Sequence, residues 1–146
     1  MKRPLRSFTL VLLQFTLLCG LVLSAPWSAL GALRFILIAA SLLLVCWAIL
    51  AMGGSTFSVF PEPRPGARLI VDGPYRWVRH PMYLAVLLAA AAVGSAPPIG
   101  LHSGFAALLL PVILLKVRVE ERAIAATFSE REERMRGIAR LIPGLW

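Results

Sequence analysis

The chain has 146 residues, of which 59% are hydrophobic and only 15% are charged. Soluble domains usually carry about 25% charged residues, so this composition argues against a water-facing exterior and favours a lipid-facing one. The net charge of +8 does not come from a basic stripe interleaved with aromatic residues, which argues against nucleic acid as a partner. The length predicts a single domain over residues 1–146.

Four apolar runs organise the chain, at residues 8–24, 32–52, 82–96 and 99–115. A helix needs about 20 apolar residues to cross a bilayer, and its backbone polar groups must be satisfied within the segment, so all four runs are predicted to be helices. The last two runs are short and are divided by Pro97-Pro98, which leaves a re-entrant hairpin as an alternative. The first run also has features of a secretory signal, but Leu23 is large for a cleavage site and Pro26 would follow the cut.

The basic residues cluster in three segments: before the first run, between the second and third runs, and after the fourth. With four spans, all three segments fall on one side, which the positive-inside rule identifies as the cytoplasm. The sequence therefore predicts an all-α, polytopic transmembrane helix bundle of about four spans with both termini cytoplasmic. A cytoplasmic loop at 60–81 and a cytoplasmic C-terminal helix at 116–136 complete the prediction.

The loop at 60–81 ends in a pattern that is typical of a helix start. Pro81 suits the first position of a helix, and the early amides at Met82 and Tyr83 then lack acceptors within that helix. Free amides at a helix start can bind a carboxylate or a phosphate. The alternative is a membrane-entry loop with snorkelling arginines and interfacial aromatic residues.

Acidic residues follow the last apolar run closely. Glu120 and Glu121 lie only a few residues beyond its end at position 115. Ionisable groups near membrane depth are candidates for function, because they are costly there unless they are solvated or paired. The alternative is an interfacial helix stabilised by ion pairs such as that between Lys116 and Glu120.

Two segments together resemble the signature of the isoprenylcysteine carboxyl methyltransferase family. The first is Gly73-Pro74-Tyr75-Arg76-Trp77-Val78-Arg79-His80-Pro81-Met82-Tyr83-Leu84-Ala85, which looks like G-x-Y…R-H-P-x-Y-x-G. The second is Lys116-Val117-Arg118-Val119-Glu120-Glu121-Arg122-Ala123-Ile124, which looks like R-I-x-x-E-E-x-x-L. The resemblance covers roughly residues 60–143. It implies an integral membrane methyltransferase that uses S-adenosylmethionine and no metal.

The resemblance also implies roles for individual positions. The residues implied to contact S-adenosylmethionine are Ala67, Arg68, Leu69, Ile70, Tyr75, His80, Pro81, Met82, Tyr83 and Glu120. Lys116, Glu120 and Glu121 are implied to be catalytic, and Lys116 and Arg118 are implied to bind the methyl acceptor. The signature has an arginine where this chain has Lys116 and a glycine where it has Ala85, so the cofactor half matches better than the acceptor half.

The expected partners are the lipid bilayer and a lipophilic methyl acceptor. The sequence leaves open the reactive group of the acceptor and the oligomeric state of the protein. A prenylated cysteine carboxylate is already ionised, and Lys116 would anchor it. An amine, as in a phospholipid N-methyltransferase, or a thiol would need Glu121 or His80 as a base. Two further alternatives are a sterol-reductase-like enzyme that uses a reduced nicotinamide, and a membrane scaffold without activity. The reductase motif usually reads R-H-P-N-Y-x-G-E, which differs from this chain at Met82 and again after Tyr83.

Overall fold

A computed structural model of the chain describes residues 4–142, apart from the side chain of Ser55. Its α-helices are α1 (Leu5–Ser24), α2 (Ala32–Thr56), α3 (Pro81–Gly94), α4 (Leu101–Thr127) and α5 (Arg131–Arg134), with short 3₁₀ turns at Trp27–Ala29 and Gly73–Arg76. Residues 4–142 contain no strand, which confirms the all-α prediction. Lys2, Arg3 and Pro143, which entered the predicted topology and signature, lie outside the described residues.

Helices α1 to α4 form an antiparallel bundle. At one end, the Ser103 hydroxyl at the start of α4 donates to the Gly94 carbonyl at the end of α3, at 2.6 Å. At the other end, Lys116 of α4 lies against Tyr83 in the first turn of α3. Because the helices alternate in direction, the segments 57–80 and 128–142 lie together with the start of α1. We call this the polar end of the bundle.

The surfaces of the long helices are apolar. Helices α1, α4 and the part of α2 up to Gly54 are long and apolar enough to cross a membrane. Leu42, Leu43 and Leu50 on α2 are between 62% and 80% exposed. A large exposed apolar surface of this kind is suited to contact with lipid rather than water. The chain is therefore a helical membrane protein.

The core lies between α1, α3 and α4. It consists of Leu17, Leu21, Ala90, Val93, Leu109 and Val112. A Cβ atom on Gly94 would lie 2.3 Å from the Cβ of Ala106, so glycine is what allows α3 and α4 to approach so closely. Helix α2 packs against α3 and makes little contact with α1. This leaves a gap between α1 and α2 on one side of the bundle.

Two predicted boundaries differ from the structure. The prediction of a separate C-terminal helix at 116–136 is wrong, because α4 continues unbroken from Leu101 to Thr127 and only the four-residue α5 follows it. The predicted span at 82–96 is a helix of 14 residues, Pro81–Gly94, about 21 Å long and shorter than a hydrocarbon core of about 30 Å. Three helices, not four, have the length of a membrane span in the described part of the chain.

Candidate active site

Two adjacent cavities lie at the polar end. The first, which we call the loop cavity, is walled by the end of α2, the 58–70 segment, α4 and Met135 of the tail, residues 128–142. The second, the helix cavity, lies between α1, α2, α3 and α4.

The two cavities adjoin each other at a wall of shared residues. Tyr75, Arg79 and Glu120 each line both of them, together with Met52 and Ser58. Tyr75 lies in the 3₁₀ turn, Arg79 just before α3, and Glu120 on α4. A molecule in one cavity can therefore meet a molecule in the other beside a phenol, a guanidinium and a carboxylate.

Gly73 positions the turn that carries Tyr75. Its φ angle is +57°, in the left-handed region that favours glycine, and it packs against α2. A Cβ atom here would lie 2.9 Å from the Cβ of Ala51 and 3.2 Å from Nε1 of Trp47. Trp47 also contacts Trp77 edge-on, with ring centroids 5.7 Å apart. These contacts attach the loop to α2.

Tyr75 contributes a buried hydroxyl to the shared wall. The residue is 6% exposed, and its oxygen has no hydrogen-bond partner among the described residues. Burial raises the pKa of the Tyr75 phenol, and the negative charge of Glu120 raises it further, so the group stays protonated. Glu62 Oε2, on the wall of the loop cavity, is likewise buried without a partner. Unsatisfied buried polar atoms are uncommon, and two at one cavity indicate a polar ligand.

Glu121 holds the polar end together. Its Oε1 atom is 2.9 Å from Nε2 of His80, and its Oε2 atom is 3.3 Å from Nη1 of Arg79. The same carboxylate pairs with Arg131, and Nε of Arg140 lies 3.8 Å away. The carboxylate of Glu121 thus joins α4 to the residues before α3 and to the tail. It lines neither of the two cavities.

The tail is fastened to the same residues through the backbone. The amide of Arg79 donates to the carbonyl of Ala139 at 2.8 Å, and the amide of His80 donates to that of Arg140 at 3.2 Å. The Arg79 side chain also donates to the carbonyls of Ile138 and Met135. The tail therefore closes the polar end over the loop cavity.

His80 is a buried cation at neutral pH. Burial alone would lower the pKa of its imidazole, but the hydrogen bonds and charges of Glu120 and Glu121 outweigh burial and raise the pKa to about 9. Nδ1 of His80 is 3.7 Å from Oε1 of Glu120. The imidazolium also stacks on Tyr83, with ring centroids 5.7 Å apart. A protonated histidine cannot serve as a general base.

Lys116 reaches the helix cavity from α4. It is 1% exposed, and its ammonium donates to Oε1 of Gln14 at 2.5 Å and to the carbonyl of Val59 at 3.2 Å. The ammonium also lies 5.2 Å from the centre of the Tyr83 ring, within cation–π distance. The cavity therefore contains a buried cation with neutral partners.

The structure brings most of the predicted site residues together. Ala67, Arg68, Leu69, Ile70, Tyr75 and Glu120 line the loop cavity. Tyr75, His80, Pro81, Met82, Tyr83, Lys116 and Glu120 line the helix cavity. Four of the residues predicted to contact the cofactor, His80, Pro81, Met82 and Tyr83, therefore lie on the helix cavity and not on the loop cavity. No side chain caps the start of α3, as expected for its early amides.

Two predicted residues lie elsewhere. Arg118 is exposed and lines neither cavity, so the structure does not bring it to the predicted acceptor site. Glu121, which was predicted to be catalytic, lines neither cavity and forms ion pairs with Arg79 and Arg131.

Three strongly polar residues of the site were not predicted, and one of them, Arg79, lines both cavities. Gln14 lines the helix cavity and Glu62 lines the loop cavity. The signal for Gln14 was available, because it is a strongly polar side chain within the apolar run 8–24, and polar residues inside a span are candidates for function. Glu62 stands alone among prolines and arginines, and no local pattern distinguishes it.

One known protein family matches most of the chain. Residues 30–126, about two thirds of the chain, match the model of the isoprenylcysteine carboxyl methyltransferase (ICMT) family. No curated protein gives a significant match. The matched region includes α2, the 57–80 segment, α3 and nearly all of α4, and thus most of both cavity walls. The fold and the match agree that this chain belongs to the isoprenylcysteine carboxyl methyltransferase family and is a membrane methyltransferase of that kind.

Proposed function

We propose that this protein transfers a methyl group from S-adenosylmethionine to the carboxylate of a lipophilic acceptor, such as a prenylated cysteine. One observation carries the proposal. A polar-end cavity and an apolar cavity between the helices share a wall that contains Tyr75, Arg79 and Glu120. A water-soluble donor and a lipid-soluble acceptor can come into direct contact where the two cavities adjoin, each entering from its own side.

The loop cavity fits the cofactor. The Glu120 carboxylate and the unpartnered oxygens of Glu62 and Tyr75 are acceptors for the ribose hydroxyls and the ammonium group of S-adenosylmethionine. Ile70 and Phe128 provide apolar surface for the adenine ring. The cofactor, when bound, supplies a methyl group on a positively charged sulfur, and the protein's part is to hold and orient the two reactants.

The helix cavity fits a lipophilic acceptor. Its walls include Phe15 and Leu18 on α1, Val45 on α2 and Val86 on α3, all apolar. Helices α1 and α2 both line it but make little contact with each other. The gap between them gives a prenyl chain a route from the bilayer.

The groups around the site favour a carboxylate over an amine or a thiol. An amine or a thiol needs a base to remove its proton, but His80 is already protonated and Glu121 is held by cations. The buried ammonium of Lys116 attracts an anionic acceptor and repels a protonated amine. A carboxylate needs no deprotonation at neutral pH.

The orientation follows from charge. The arginines of the loop, of the end of α4 and of the tail lie at the polar end, and by the positive-inside rule this charge supports a cytoplasmic position for that end. The cofactor would then reach the loop cavity directly from the cytosol.

Calorimetric titration of S-adenosylmethionine and its demethylated product into the detergent-purified protein tests the proposal. We expect saturable binding to the wild type and at least a tenfold weaker affinity in Glu120→Gln, because a hydrogen bond to a charged group is worth about 1.5–3 kcal/mol. Glu133→Gln makes the same chemical change at an exposed position that lines neither cavity, and it should bind as the wild type does.

Failure of a folded wild type to bind either compound would overturn the proposal. Binding of a reduced nicotinamide instead would indicate the reductase alternative. Equal loss of affinity in Glu120→Gln and Glu133→Gln would show that the loop cavity is not the binding site.

A further inference from the structure

Gln14 and Lys116 meet in the helix cavity, although they are 102 positions apart in the sequence. Gln14 is 8% exposed and lies on α1, outside the residues 30–126 that match the family. Both side chains line the cavity. The contact therefore adds to the site a residue that the family match does not cover.

The charge of Lys116 has no anionic group in direct contact. Within residues 4–142, no carboxylate oxygen lies within 4.0 Å of its ammonium nitrogen, although the carboxylate of Glu120 interacts with it at longer range. Its two hydrogen-bond acceptors, the Gln14 amide and the Val59 carbonyl, are neutral. A buried charge without an anion in contact is costly, so this arrangement is expected where a ligand supplies that anion.

The hydrogen-bonding capacity of the pair is only partly used. An ammonium has three N–H donors, and two of those on Lys116 are engaged by Gln14 and Val59. Lysine can only donate, so the Gln14 atom that faces it must be the amide oxygen, and the amide nitrogen then has its two N–H groups free for another acceptor. Donors from both residues are thus available at one place in the cavity.

We propose that Gln14 and Lys116 together bind the carboxylate of the acceptor, with one oxygen on the lysine ammonium and the other on the glutamine amide. This inference rests on the proposed function for the identity of the acceptor. The pair supplies two adjacent donors and one positive charge, which a lone lysine does not. An arginine supplies both from a single planar group, and the signature of the family has an arginine where this chain has Lys116.

Direct binding of N-acetyl-S-farnesylcysteine and of its methyl ester to the purified full chain, in the absence of cofactor, tests the proposal. The two compounds share the lipid part and differ in the carboxylate. The wild type is expected to bind the acid at least about tenfold more tightly than the ester, because the ester lacks the charged carboxylate, and a hydrogen bond to a charged group changes the affinity by about that factor. Gln14→Glu keeps an acceptor for Lys116 but replaces the amide donors by a negative charge, so the preference should disappear.

Two further variants separate binding from folding. Gln14→Met, which is neutral and of similar length, should reduce the preference for the acid several-fold. Thr16→Val, on the same helix at an exposed position that does not line the cavity, should retain it in full. Thermal unfolding of each variant in detergent shows whether the bundle is intact.

The possible outcomes distinguish the two proposals. Equal affinity of the wild type for acid and ester, binding of neither compound, or an unchanged preference in Gln14→Glu would overturn the role of the pair. Binding of S-adenosylmethionine is measured separately and involves the loop cavity. Its absence would overturn the proposed function while leaving the result on acid and ester valid.

Discussion

The hydroxyl of Tyr75 is buried at the wall between the cavities and has no partner in the described part of the chain. Removing a buried polar group that makes no hydrogen bond does not destabilise the fold. Tyr75→Phe should therefore unfold at the same temperature as the wild type or slightly above it. The affinity for S-adenosylmethionine should fall about fivefold to tenfold, because the cofactor loses one hydrogen bond.

Calorimetry and thermal unfolding of the same Tyr75→Phe preparation check this prediction. A lower unfolding temperature together with unchanged cofactor affinity would show that the phenol has a structural partner instead.

The histidine at the start of α3 predicts a dependence on pH. The pKa of His80 is about 9 in the folded protein, against 6.5 for the free side chain. Because this pKa is raised, the stabilisation from the imidazolium is fully present below about pH 6.5 and is lost as the pH rises through about 9. The free energy of unfolding should decrease over this interval by at most about 3 kcal/mol.

Thermal unfolding in detergent between pH 6 and pH 10 measures this decrease. In Glu121→Gln, which loses the negative charge next to the ring, the pKa of His80 in the folded protein should be lower, so the decrease should be smaller and should end at a lower pH. The His80→Gln variant should lack this decrease in the free energy of unfolding. Identical pH profiles for the wild type and His80→Gln would contradict the assignment.

At the residue scale, the sequence predicted those site residues that lie within a few positions of each other in a motif. His80, Pro81 and Tyr83 are in the run before and within α3, and Glu120 lies one turn beyond Lys116. Gln14 and Glu62 were not predicted, since their roles depend on contacts with segments distant in the sequence. Ser7 of α1 donates to Glu62 across 55 positions, and no local pattern indicates such a contact.

The turn before Tyr75 provides a prediction at the scale of elements. Gly73→Ala places a Cβ atom 2.9 Å from that of Ala51 and puts alanine at a φ angle of +57°. We expect a loss of about 2–4 kcal/mol in the free energy of unfolding from strain and overlap, and a weaker affinity for the cofactor. Gly66 is the matched control, because it has a φ angle of +77° but no atom within 4 Å of an added Cβ.

Chemical unfolding in detergent compares the two variants. Gly66→Ala should show only the cost of the backbone conformation, about 1–2 kcal/mol. Equal effects of the two substitutions would mean that the packing of Gly73 against α2 does not matter.

The existence of the elements was predictable, and some of their ends were not. Pro81 marks the start of α3, as proline often does at the first turn of a helix. The end of α4 has no such marker, and residues 116–136 contain no proline. The helix ends at Thr127, and the tail then turns back to the loop, where Val78 forms a bridge with Ala139. Interactions between distant segments therefore override the helical propensity of this stretch.

At the scale of the whole molecule, the antiparallel bundle predicts which segments face the same side of the membrane. In a background with Cys19 and Cys46 replaced by serine, single cysteines at Arg64 and Arg136 should react with a membrane-impermeant maleimide from the cytoplasmic side. A cysteine at Ile99, which is 76% exposed, should react from the opposite side only.

This experiment decides between a crossing and a re-entrant hairpin for α3 and α4. A hairpin that stops within the bilayer would leave position 99 unreactive from both sides. The structure favours a crossing, because Arg34 at the start of α2 donates to the carbonyl of Ser95 at 3.2 Å. That bond places the tip of the hairpin level with the connection between α1 and α2.

The shortness of α3 has a consequence for how the protein meets its acceptor. Tyr83 and Gln14 both adjoin Lys116, and Gln14 is nine residues inside α1, about 13 Å from its start along the helix axis. The loop that precedes α3 therefore lies partly at membrane depth, in the space between the end of the short helix and the membrane surface, and its irregular backbone is enclosed by protein. Under the proposed function, a prenylated molecule reacts there while its chain stays among the lipid tails. The rate of turnover then depends on the number of acceptor molecules per lipid molecule in the bilayer. Adding inert lipid should slow the reaction. Diluting the whole suspension with buffer should not, because the enzyme and the acceptor meet within the bilayer as often as before.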